Sequence, residues 1–463
     1  MRKVKLLILG AGTAGISALK EAENHTDDVL LADPGPLGTT CARVGCMPSK
    51  ALLHIAQQVA ATQWLRKQGL ASGGLNLDLP AVLAEVRRLR DRLIAGPIRT
   101  TKALEDRYLP GAARFVGPDR LQVGAETVQA EAIVIATGTR PIIPEDWELP
   151  SKQVLTSDTL FEQPDLPHRI AVIGTGAIGL ELGQALAMLG LDVRAFGRST
   201  TLAGIRDPAV NDAARELIGV GMPLHLGSTP APMAKDGRIE IAVDGKTLEF
   251  DAVLAALGRR ANIEQLNLGE LGVPLDEHGM PPLDPQTLQV GDLPIYIAGD
   301  VAGLRPLMHE AADEGRLAAH YALNPKAASY DRRTALAMLF TEPGIASVGT
   351  RFDALPAGAL IGELDFSGQG RALLMGKNHG LLRVYADADG YLIGGAMVLP
   401  RAEHLAHELA ILVQRRLHVS EALTLPYYHP TLEEGLRSAL QGVRRQLPER
   451  ARTPDLPVHS GGD

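Results

Sequence analysis

Two copies of one strand–turn–helix pattern constrain the fold of this chain more than any other feature. In the first copy, the apolar run VKLLIL leads into GAGTAG, and VLLAD follows. In the second copy, RIAVI leads into GTGAIG, and DVRAFG follows. A single GxGxxG motif is weak evidence for a dinucleotide site, because glycine-rich loops match it by chance. Here both copies have the strand before the turn, the helix after it and a further strand, which is typical of a Rossmann-type unit. The sequence therefore predicts an α/β fold with two Rossmann-type dinucleotide-binding domains.

The pattern between and after the two copies predicts the domain layout. A length of 463 residues fits about three domains. From about Thr334 the strands and helices continue without another phosphate-type turn, which indicates a separate C-terminal α+β domain. The tail is polar and rich in Pro and Gly, so we expect it to be disordered. The predicted ranges are 1–150 completed by 262–333 for the first domain, 151–261 for the second, 334–447 for the third and 448–463 for the tail.

Composition excludes several classes of function. The chain is 45% hydrophobic and 22% charged, as is ordinary for a globular protein, and its net charge of −8 gives no general attraction to nucleic acid or an acidic membrane. An aromatic content of 4% also argues against a base-stacking surface. The apolar run near the N-terminus is short and ends in the glycine turn, so it reads as a buried strand. No run is long enough to span a bilayer, and the expected location is cytoplasmic.

The only two cysteines of the chain, Cys41 and Cys46, follow the first glycine turn. A disulfide needs Cα atoms about 4.4–6.8 Å apart, whereas five residues of regular helix rise about 7.5 Å. The segment must therefore turn or distort to close the bond. Pro48 fits a first helical turn, so we expect a helix to begin near Met47. That helix N-terminus, together with Lys50, would favour a low-pKa, exchange-active thiol.

Other interpretations of this cysteine pair are two unpaired thiols, a structural disulfide or half of a metal site. A zinc site needs about four ligands, and no Cys or His cluster accompanies the pair in the sequence, so we predict no metal. So few cysteines do not make a disulfide-stapled scaffold. A redox pair beside a dinucleotide turn favours electron transfer between a disulfide and a bound flavin.

Six motifs, GAGTAG, CARVGC, ATG, GTGAIG, IAGD and HPTLEE, occur in this order. In their order and spacing the chain resembles the pyridine nucleotide-disulfide oxidoreductase family, in the branch of dihydrolipoamide dehydrogenase and glutathione reductase. The resemblance covers essentially the whole chain except the tail. It implies a homodimer of FAD-binding, NAD(P)-binding, central and interface domains, with one FAD per subunit. The third predicted domain would then be the dimerisation domain.

The resemblance also implies the residues that bind the cofactors. Asp33 would hydrogen-bond the adenosine ribose, although the family more often has Glu there. Asp300 would hold the ribityl chain, the alternative being an ordinary strand-end cap. The residues implied for FAD are Gly10, Gly12, Gly15, Asp33, Thr40, Lys50, Ala113, Ala136, Thr137, Gly138, Asp300, Met308 and His309. Those implied for the nicotinamide nucleotide are Gly174, Gly176, Ile178, Gly179, Glu181, Gly197, Arg198 and Gly258.

For the redox centre, the resemblance makes Cys46 the thiol nearest the flavin, where it forms a charge-transfer thiolate. Cys41 becomes the interchange thiol that reacts with the substrate. Lys50 would lie near the flavin N5 and pair with Glu181, since such a pair can offset a developing flavin charge. The alternative for Lys50 is a solvated lysine on a helix.

The segment YYHPTLEEGL supplies a candidate base. Thiol–disulfide exchange near neutral pH needs a group that takes and returns a proton, and histidine suits this task. His429 lies five residues before Glu434, and Pro430 would make the chain between them turn. Glu434, rather than Glu433, matches the carboxylate of the family. Taken alone, a histidine near an acid is more often structural. The resemblance implies that His429 acts on the disulfide of the partner subunit and that the peptide bond before Pro430 is cis.

The choice of nicotinamide nucleotide stays open at this level. NAD sites usually carry an acid at the end of the second strand, where this chain has Gly197 followed by Arg198. An arginine there can pair with the 2′-phosphate of NADP, or it can simply point to solvent. We expect NADP or dual use, although the dihydrolipoamide dehydrogenase branch usually implies NAD.

The expected function is that of a dihydrolipoamide dehydrogenase acting on a lipoylated protein or a small dithiol. No cysteine near the C-terminus is available for a thioredoxin reductase or mercuric reductase type of shuttle, and the complete pair disfavours a soluble transhydrogenase. The first alternative is an NADPH-dependent reductase of another small disulfide, similar to glutathione reductase. Two further alternatives are a non-catalytic subunit of a multienzyme complex and a flavin oxidase or diaphorase that ignores disulfides.

Overall fold

A computed structural model of the chain describes residues 1–448 and Leu456. The predicted disordered tail, 448–463, lies outside the described residues apart from Pro448 and Leu456. The first part of the chain contains the strands and helices β1 (Arg2–Leu9), α1 (Thr13–Ala22), β2 (Val29–Asp33), α2 (Thr40–Arg43), α3 (Cys46–Lys67), α4 (Leu79–Lys102), β3 (Tyr108–Pro110), β4 (Ala113–Gly117), β5 (Arg120–Val123), β6 (Glu126–Ile135) and β7 (Thr139–Pro141).

The second glycine turn lies in the next part of the chain. Its elements are β8 (Val154–Leu155), β9 (Arg169–Ile173), α5 (Ala177–Met188), β10 (Asp192–Gly197), α6 (Pro208–Gly221), β11 (Leu224–Leu226), β12 (Met233–Lys235), β13 (Arg238–Val243), β14 (Lys246–Phe250), β15 (Ala252–Ala255) and β16 (Arg259–Ala261).

The strands β12–β14 form a small sheet of their own, and β16 pairs with β7. The remaining elements return to the first sheet and then build the C-terminal sheet, which is called the third sheet below. They are β17 (Ile295–Ile297), α7 (Met308–Leu323), β18 (Leu336–Leu339), β19 (Gly344–Gly349), β20 (Leu360–Asp365), α8 (Gly370–Leu374), β21 (Leu381–Ala386), β22 (Leu392–Leu399), α9 (Ala402–Gln414), α10 (Val419–Leu423) and α11 (Glu434–Arg444).

Parallel pairing dominates the two sheets that carry the glycine turns, and β4 and β5 add antiparallel pairs at one edge of the first. The first has the order β3-β2-β1-β6-β5-β4, and β17 pairs in parallel with β6. The second has the order β11-β10-β9-β15-β8, with parallel pairs throughout. The third, β18-β19-β22-β21-β20, is antiparallel and carries α9 and α11. The predicted fold class, two Rossmann-type units and a C-terminal α+β domain, is confirmed. The exact domain boundaries stay a prediction.

The two Rossmann-type units use their glycines alike. Gly10 has φ +108° and a Cβ there would clash with the Ala136 carbonyl, so the turn lies tightly against the end of β6. A Cβ at Gly15 would clash with the carbonyl of Gly10, whereas Gly12 has no atom within 4 Å. Gly174, Gly179 and Gly176 repeat these three environments in the second unit. The first and third glycines therefore permit close packing, and the second leaves open space above a helix N-terminus.

No helix in the described part of the chain combines the length and the apolar run that crossing a bilayer requires. The cytoplasmic location stays a prediction of the sequence.

A buried carboxylate connects the second sheet to the third. Asp207, whose side chain has no exposed surface, caps α6 by accepting from the Ala209 and Val210 amides. It also accepts hydrogen bonds from Arg383 at 2.8 Å and from the Tyr385 hydroxyl at 2.6 Å. These partners stabilise the Asp207 carboxylate, because a buried charge without hydrogen-bond partners lowers the stability of the fold.

We expect Asp207→Ala to lower the free energy of unfolding by about 3 kcal/mol, because it leaves the Arg383 guanidinium without its buried partner. Urea unfolding followed by circular dichroism measures this change. Asp192→Ala is the control, since Asp192 is 44% exposed and lies 3.9 Å from Arg169. Equal stability of the two variants would contradict the assigned role.

Candidate active site

The two cysteines lie on either side of a break between two helices. Cys41 is in the short helix α2, and Cys46 begins α3. The predicted helix start near Met47 is confirmed, since α3 begins at the adjacent Cys46. Gly45 makes the approach possible, since a Cβ there would lie 3.1 Å from the Thr40 carbonyl oxygen and 3.2 Å from Cys41 Cα. The chain turns at this glycine, as the disulfide geometry demands.

Both cysteines carry free thiols, and the two side chains are hydrogen-bonded to each other. This bond lowers the pKa of Cys46 to about 7, and Lys50 adds to the effect against the opposing influence of burial. The same bond, with burial, raises the pKa of the Cys41 thiol. The first proton is therefore lost from Cys46, while Cys41 stays protonated and donates to the thiolate.

Lys50 and Glu181 form an ion pair beside the thiols. Lys50 Nζ lies 2.6 Å from Glu181 Oε2 and 4.8 Å from the centroid of the Phe340 ring. The Phe340 amide donates to the other oxygen of Glu181 at 2.8 Å. Glu181 is 7% exposed, and both of its oxygens are occupied. The alternative of a solvated Lys50 does not hold, since the side chain is one-third exposed and paired.

A groove of about 670 Å³ runs over the carboxyl ends of the first sheet. Its lining combines glycine and alanine backbone with the polar side chains of Asp33, Thr40 and Arg43, which suits a ligand with phosphate and sugar groups. Among the residues that line it are the predicted Gly10, Asp33, Thr40, Ala113 and Thr137.

Two buried polar atoms of the groove test whether FAD fits. Thr137 Oγ1 and Arg43 Nε have no hydrogen-bond partner among the described residues, and both residues line the groove. Buried polar atoms normally find a partner, so these two are suited to meet a polar ligand. Together with the open space at Gly12, they fit the phosphates and polar ring edge of a flavin dinucleotide.

Asp33 is one of the lining residues, whereas the predicted Ala136, Gly138, Asp300, Met308 and His309 are not among them. Asp33 accepts from the Ala11 and Gly35 amides, each at 2.6 Å, so its carboxylate is held in one orientation at the end of β2. Burial raises the pKa of Asp300, while Arg259 opposes the shift. Met308 and His309 begin α7, and Ala136 and Gly138 flank Thr137 in the turn after β6.

Sequence reasoning missed two residues of this groove. Asn262 holds the ATG turn, since its side chain donates to the Thr137 carbonyl and its amide donates to the Gly138 carbonyl, both at 3.0 Å. No motif signals it, because the two partners are more than 120 residues away. Arg43 lies between the two cysteines, and its position in CARVGC was the available signal.

At the second glycine turn, the side chain of Thr175 crowds the end of β10. A Cβ at Gly197 would clash with Thr175 Oγ1 and lie 2.9 Å from Thr175 Cγ2. Arg198 follows and is exposed. Ile178 lies in the first turn of α5, and Gly258, with φ +109°, follows β15. An acid is absent from position 197, and a side chain there would require Thr175 to move.

The side chains of His429 and Glu434 are in contact in the C-terminal domain. Glu434 begins α11 and its Oε2 lies 2.8 Å from His429 Nδ1, across a cis His429–Pro430 peptide bond. Gln369, which sequence reasoning missed, lies 3.4 Å from the other oxygen of Glu434. The His429 side chain is 77% exposed on the single protomer. Nearby apolar side chains are also exposed, Tyr428 by 80% and Leu425 by 40%.

Comparison with known proteins decides the family. Residues 4–315 match the family described as pyridine nucleotide-disulphide oxidoreductase, and residues 336–440 match the dimerisation domain of the same family. This chain belongs to the pyridine nucleotide-disulphide oxidoreductase family.

Curated relatives agree over nearly the full length. The chain is 32% identical to a dihydrolipoyl dehydrogenase of Thermus scotoductus in an alignment of length 459, which covers 96% of this chain and 98% of that protein. It is 30% identical to a dihydrolipoyl dehydrogenase of Halobacterium salinarum, over 94% of this chain and 95% of that protein.

Solved structures share the fold. The structure of LpdA from Mycobacterium tuberculosis matches with a TM-score of 0.83 and 25% identity, over 97% of this chain and all of that one. The flavoprotein disulfide reductase RclA from Escherichia coli matches with a TM-score of 0.82 and 21% identity, over 94% of this chain and 99% of that one. This second likeness concerns the fold alone.

As a member of this family, the protein is an FAD-dependent oxidoreductase that acts on a sulfur group and uses NAD(P). The match to a dimerisation domain supports a homodimer. The exposed apolar side chains beside His429 fit a surface that a second copy covers.

We expect Cys41→Ala to raise the pKa of Cys46 from about 7 toward the ordinary 9, because the substitution removes the hydrogen bond that lowers it most. The rate of Cys46 alkylation by iodoacetamide against pH, followed by mass spectrometry, measures this pKa. Cys41→Ser keeps a hydroxyl donor and is the matched control. A pKa that is the same in the Ala and Ser variants would contradict the assignment.

Proposed function

We propose that this protein is a dihydrolipoyl dehydrogenase, which oxidises dihydrolipoamide to lipoamide while NAD(P)+ is reduced to NAD(P)H. The observation that carries the proposal is the hydrogen-bonded pair Cys41 and Cys46, with the lowered pKa of Cys46, at the Lys50–Glu181 ion pair. The dihydrolipoyl dehydrogenases at 30–32% identity support the choice of substrate.

The reaction starts from the Cys41–Cys46 disulfide. One substrate thiolate attacks Cys41 Sγ, the bond between the cysteines breaks, and Cys46 leaves as a thiolate that the nearby Lys50 stabilises. The second substrate thiolate then attacks the substrate sulfur bound to Cys41, so lipoamide forms and Cys41 leaves with its electron pair. Two electrons and two protons have then passed from the substrate to the protein.

Bound FAD would pass the electron pair from the cysteines to the nicotinamide as a hydride equivalent. Cys46 would hold its charge toward the flavin. Lys50, fixed by Glu181, would keep a positive charge there, and Thr137 and Arg43 would bind polar atoms of the cofactor. One of the two substrate protons leaves with the hydride, and the other is released.

His429 is the base we propose for the substrate thiols. Glu434 orients its Nδ1 side, which leaves Nε2 to take a proton. Its exposure on the single protomer suits a histidine that serves the cysteines of the partner subunit. Two complete sites would then exist only in the dimer.

For the nucleotide, we propose NADP or dual use. Gly197 leaves no acid to repel a 2′-phosphate, Thr175 occupies the space that an acidic side chain would need, and the exposed Arg198 follows at once. The same observation favours the second candidate, an NADPH-dependent reductase of another small disulfide.

We expect His429→Gln to lower dihydrolipoamide oxidation by about 10²- to 10⁴-fold, since the substrate thiols lose their proton acceptor. Reduction of a one-electron dye by NAD(P)H should be unchanged, because that reaction bypasses the cysteines. His404→Gln is the control, as His404 is an exposed histidine 3.8 Å from Glu433 in the same domain. Equal losses in both activities would contradict a role for His429 as the base.

We expect Arg198→Ala to raise the KM for NADPH at least about tenfold, from the loss of a charge-assisted hydrogen bond, with little change for NADH. Steady-state kinetics with both nucleotides measure the effect. Arg194→Ala, which removes a partly exposed arginine within β10, is the control. An NADPH KM that matches this control would show that Arg198 faces solvent.

We further expect Thr175→Ala/Gly197→Glu to shift preference toward NAD. The alanine removes the two Thr175 atoms that block position 197, and the glutamate supplies a partner for the ribose hydroxyls. Gly197→Glu alone should bind both nucleotides poorly. An unchanged ratio of kcat/KM in the double variant would argue against this account of the pocket.

A further inference from the structure

Three side chains with metal-binding groups meet at the end of the α1–α7 helix pair, which packs on the first sheet. Glu21 lies in the last turn of α1, His25 follows three residues after that helix ends, and His320 lies in the last turn of α7. The two helices pack closely along their length, since a Cβ at Gly315 of α7 would clash with the Ala14 carbonyl of α1.

The ligand atoms are already spaced as in a metal site. His25 Nε2 lies 3.1 Å and His320 Nδ1 3.3 Å from the same oxygen, Glu21 Oε1, and all three atoms lie within 4.8 Å of one another. Zinc bonds of about 2.0–2.2 Å at a tetrahedral angle put neighbouring ligand atoms about 3.3–3.6 Å apart. Two of the three spacings are therefore close to this value without any movement of the backbone.

The imidazole of His320 is held in place by its surroundings. The rings of Tyr321 and Tyr330 contact it edge-on, with centroids 5.9 and 5.5 Å away. The His25 amide donates to the Ala22 carbonyl at 2.8 Å, which fixes the backbone below the second imidazole. The three side chains keep between 22% and 31% of their surface exposed. An ion can thus enter from solvent and retain water as a further ligand.

The donor set selects the kind of ion. Two imidazole nitrogens and one carboxylate oxygen suit Zn²⁺ or Cu²⁺, whereas Mg²⁺ and Ca²⁺ prefer oxygen ligands throughout. We propose that Glu21, His25 and His320 form a binding site for a divalent transition-metal ion, and that this ion is Zn²⁺. The bound ion would link the end of α1 to α7. The competing interpretation is a clamp of hydrogen bonds alone, which would stabilise the same helix pair without metal.

The test uses the flavin-loaded protein in a Cys41→Ser/Cys46→Ser background, so that the active-site thiols cannot take the metal. After incubation with excess Zn²⁺ and gel filtration, inductively coupled plasma mass spectrometry should find about one Zn²⁺ per subunit. Zinc should also raise Tm by at least about 2 °C. Adding His25→Ala and His320→Ala should remove both effects, whereas His278→Ala, which removes a 79% exposed histidine, should keep them.

Failure to retain zinc in the parent, or equal retention after loss of both histidines, would overturn the proposal. A Tm that falls in the histidine variants but never responds to zinc would identify the hydrogen-bonded clamp instead. If those variants lose flavin, electron paramagnetic resonance of one equivalent of Cu²⁺ bound to the parent decides the matter. Coupling to two nitrogen nuclei supports the site, and a spectrum without nitrogen coupling overturns it.

Discussion

The ion pair between Lys50 and Glu181 is the interaction on which the arrangement of the site depends. Lys50 belongs to the helix that begins with Cys46, and Glu181 belongs to the helix after the second glycine turn. The Phe340 amide, at the start of the third domain, occupies the remaining oxygen of Glu181. One buried carboxylate therefore joins the redox helix, the nucleotide-binding unit and the C-terminal domain. Glu181 is buried, so loss of either partner would leave its carboxylate poorly compensated, and the pair favours one arrangement of these three parts.

The same pair affects the thiol chemistry in two opposing ways. Lys50 lowers the pKa of Cys46, and Glu181 raises it. The hydrogen bond from Cys41 contributes more than either charge. The thiolate is thus stabilised chiefly by the neighbouring thiol. This stabilisation exists only while both cysteines are reduced, which suits a centre that must hold and release an electron pair.

The two Rossmann-type units have diverged at matching positions. In the first, the small Ala11 leaves room for Asp33, whose carboxylate accepts from the Ala11 amide. In the second, Thr175 takes the place of Ala11, and Gly197 takes the place of Asp33. A larger residue in the turn accompanies loss of the acid at the strand end. We interpret this exchange as the physical basis for different nucleotides at the two sites.

Much of the site could be predicted because its signals are local or belong to a motif. The glycine turns and the contact between His429 and Glu434 are examples. The Lys50–Glu181 pair spans 131 residues and was implied only by the resemblance to the family. What the sequence could not provide are contacts between residues far apart in the chain, whose partners no spacing reveals. Asn262 at the ATG turn, the Asp207–Arg383 contact and the approach of His320 to Glu21 are of this kind. The orientation of Thr175 into the space at Gly197 likewise depends on packing between β10 and the glycine turn.

An anaerobic titration of the purified, flavin-loaded protein with dihydrolipoamide tests the central claim most directly. The account predicts that one equivalent of dithiol produces long-wavelength charge-transfer absorbance from the Cys46 thiolate and the flavin. Addition of NAD+ or NADP+ should then remove this absorbance and yield the reduced nucleotide. A flavin spectrum that ignores dihydrolipoamide, in protein whose flavin is still reduced by NADH or NADPH, would contradict the proposed dihydrolipoyl dehydrogenase activity.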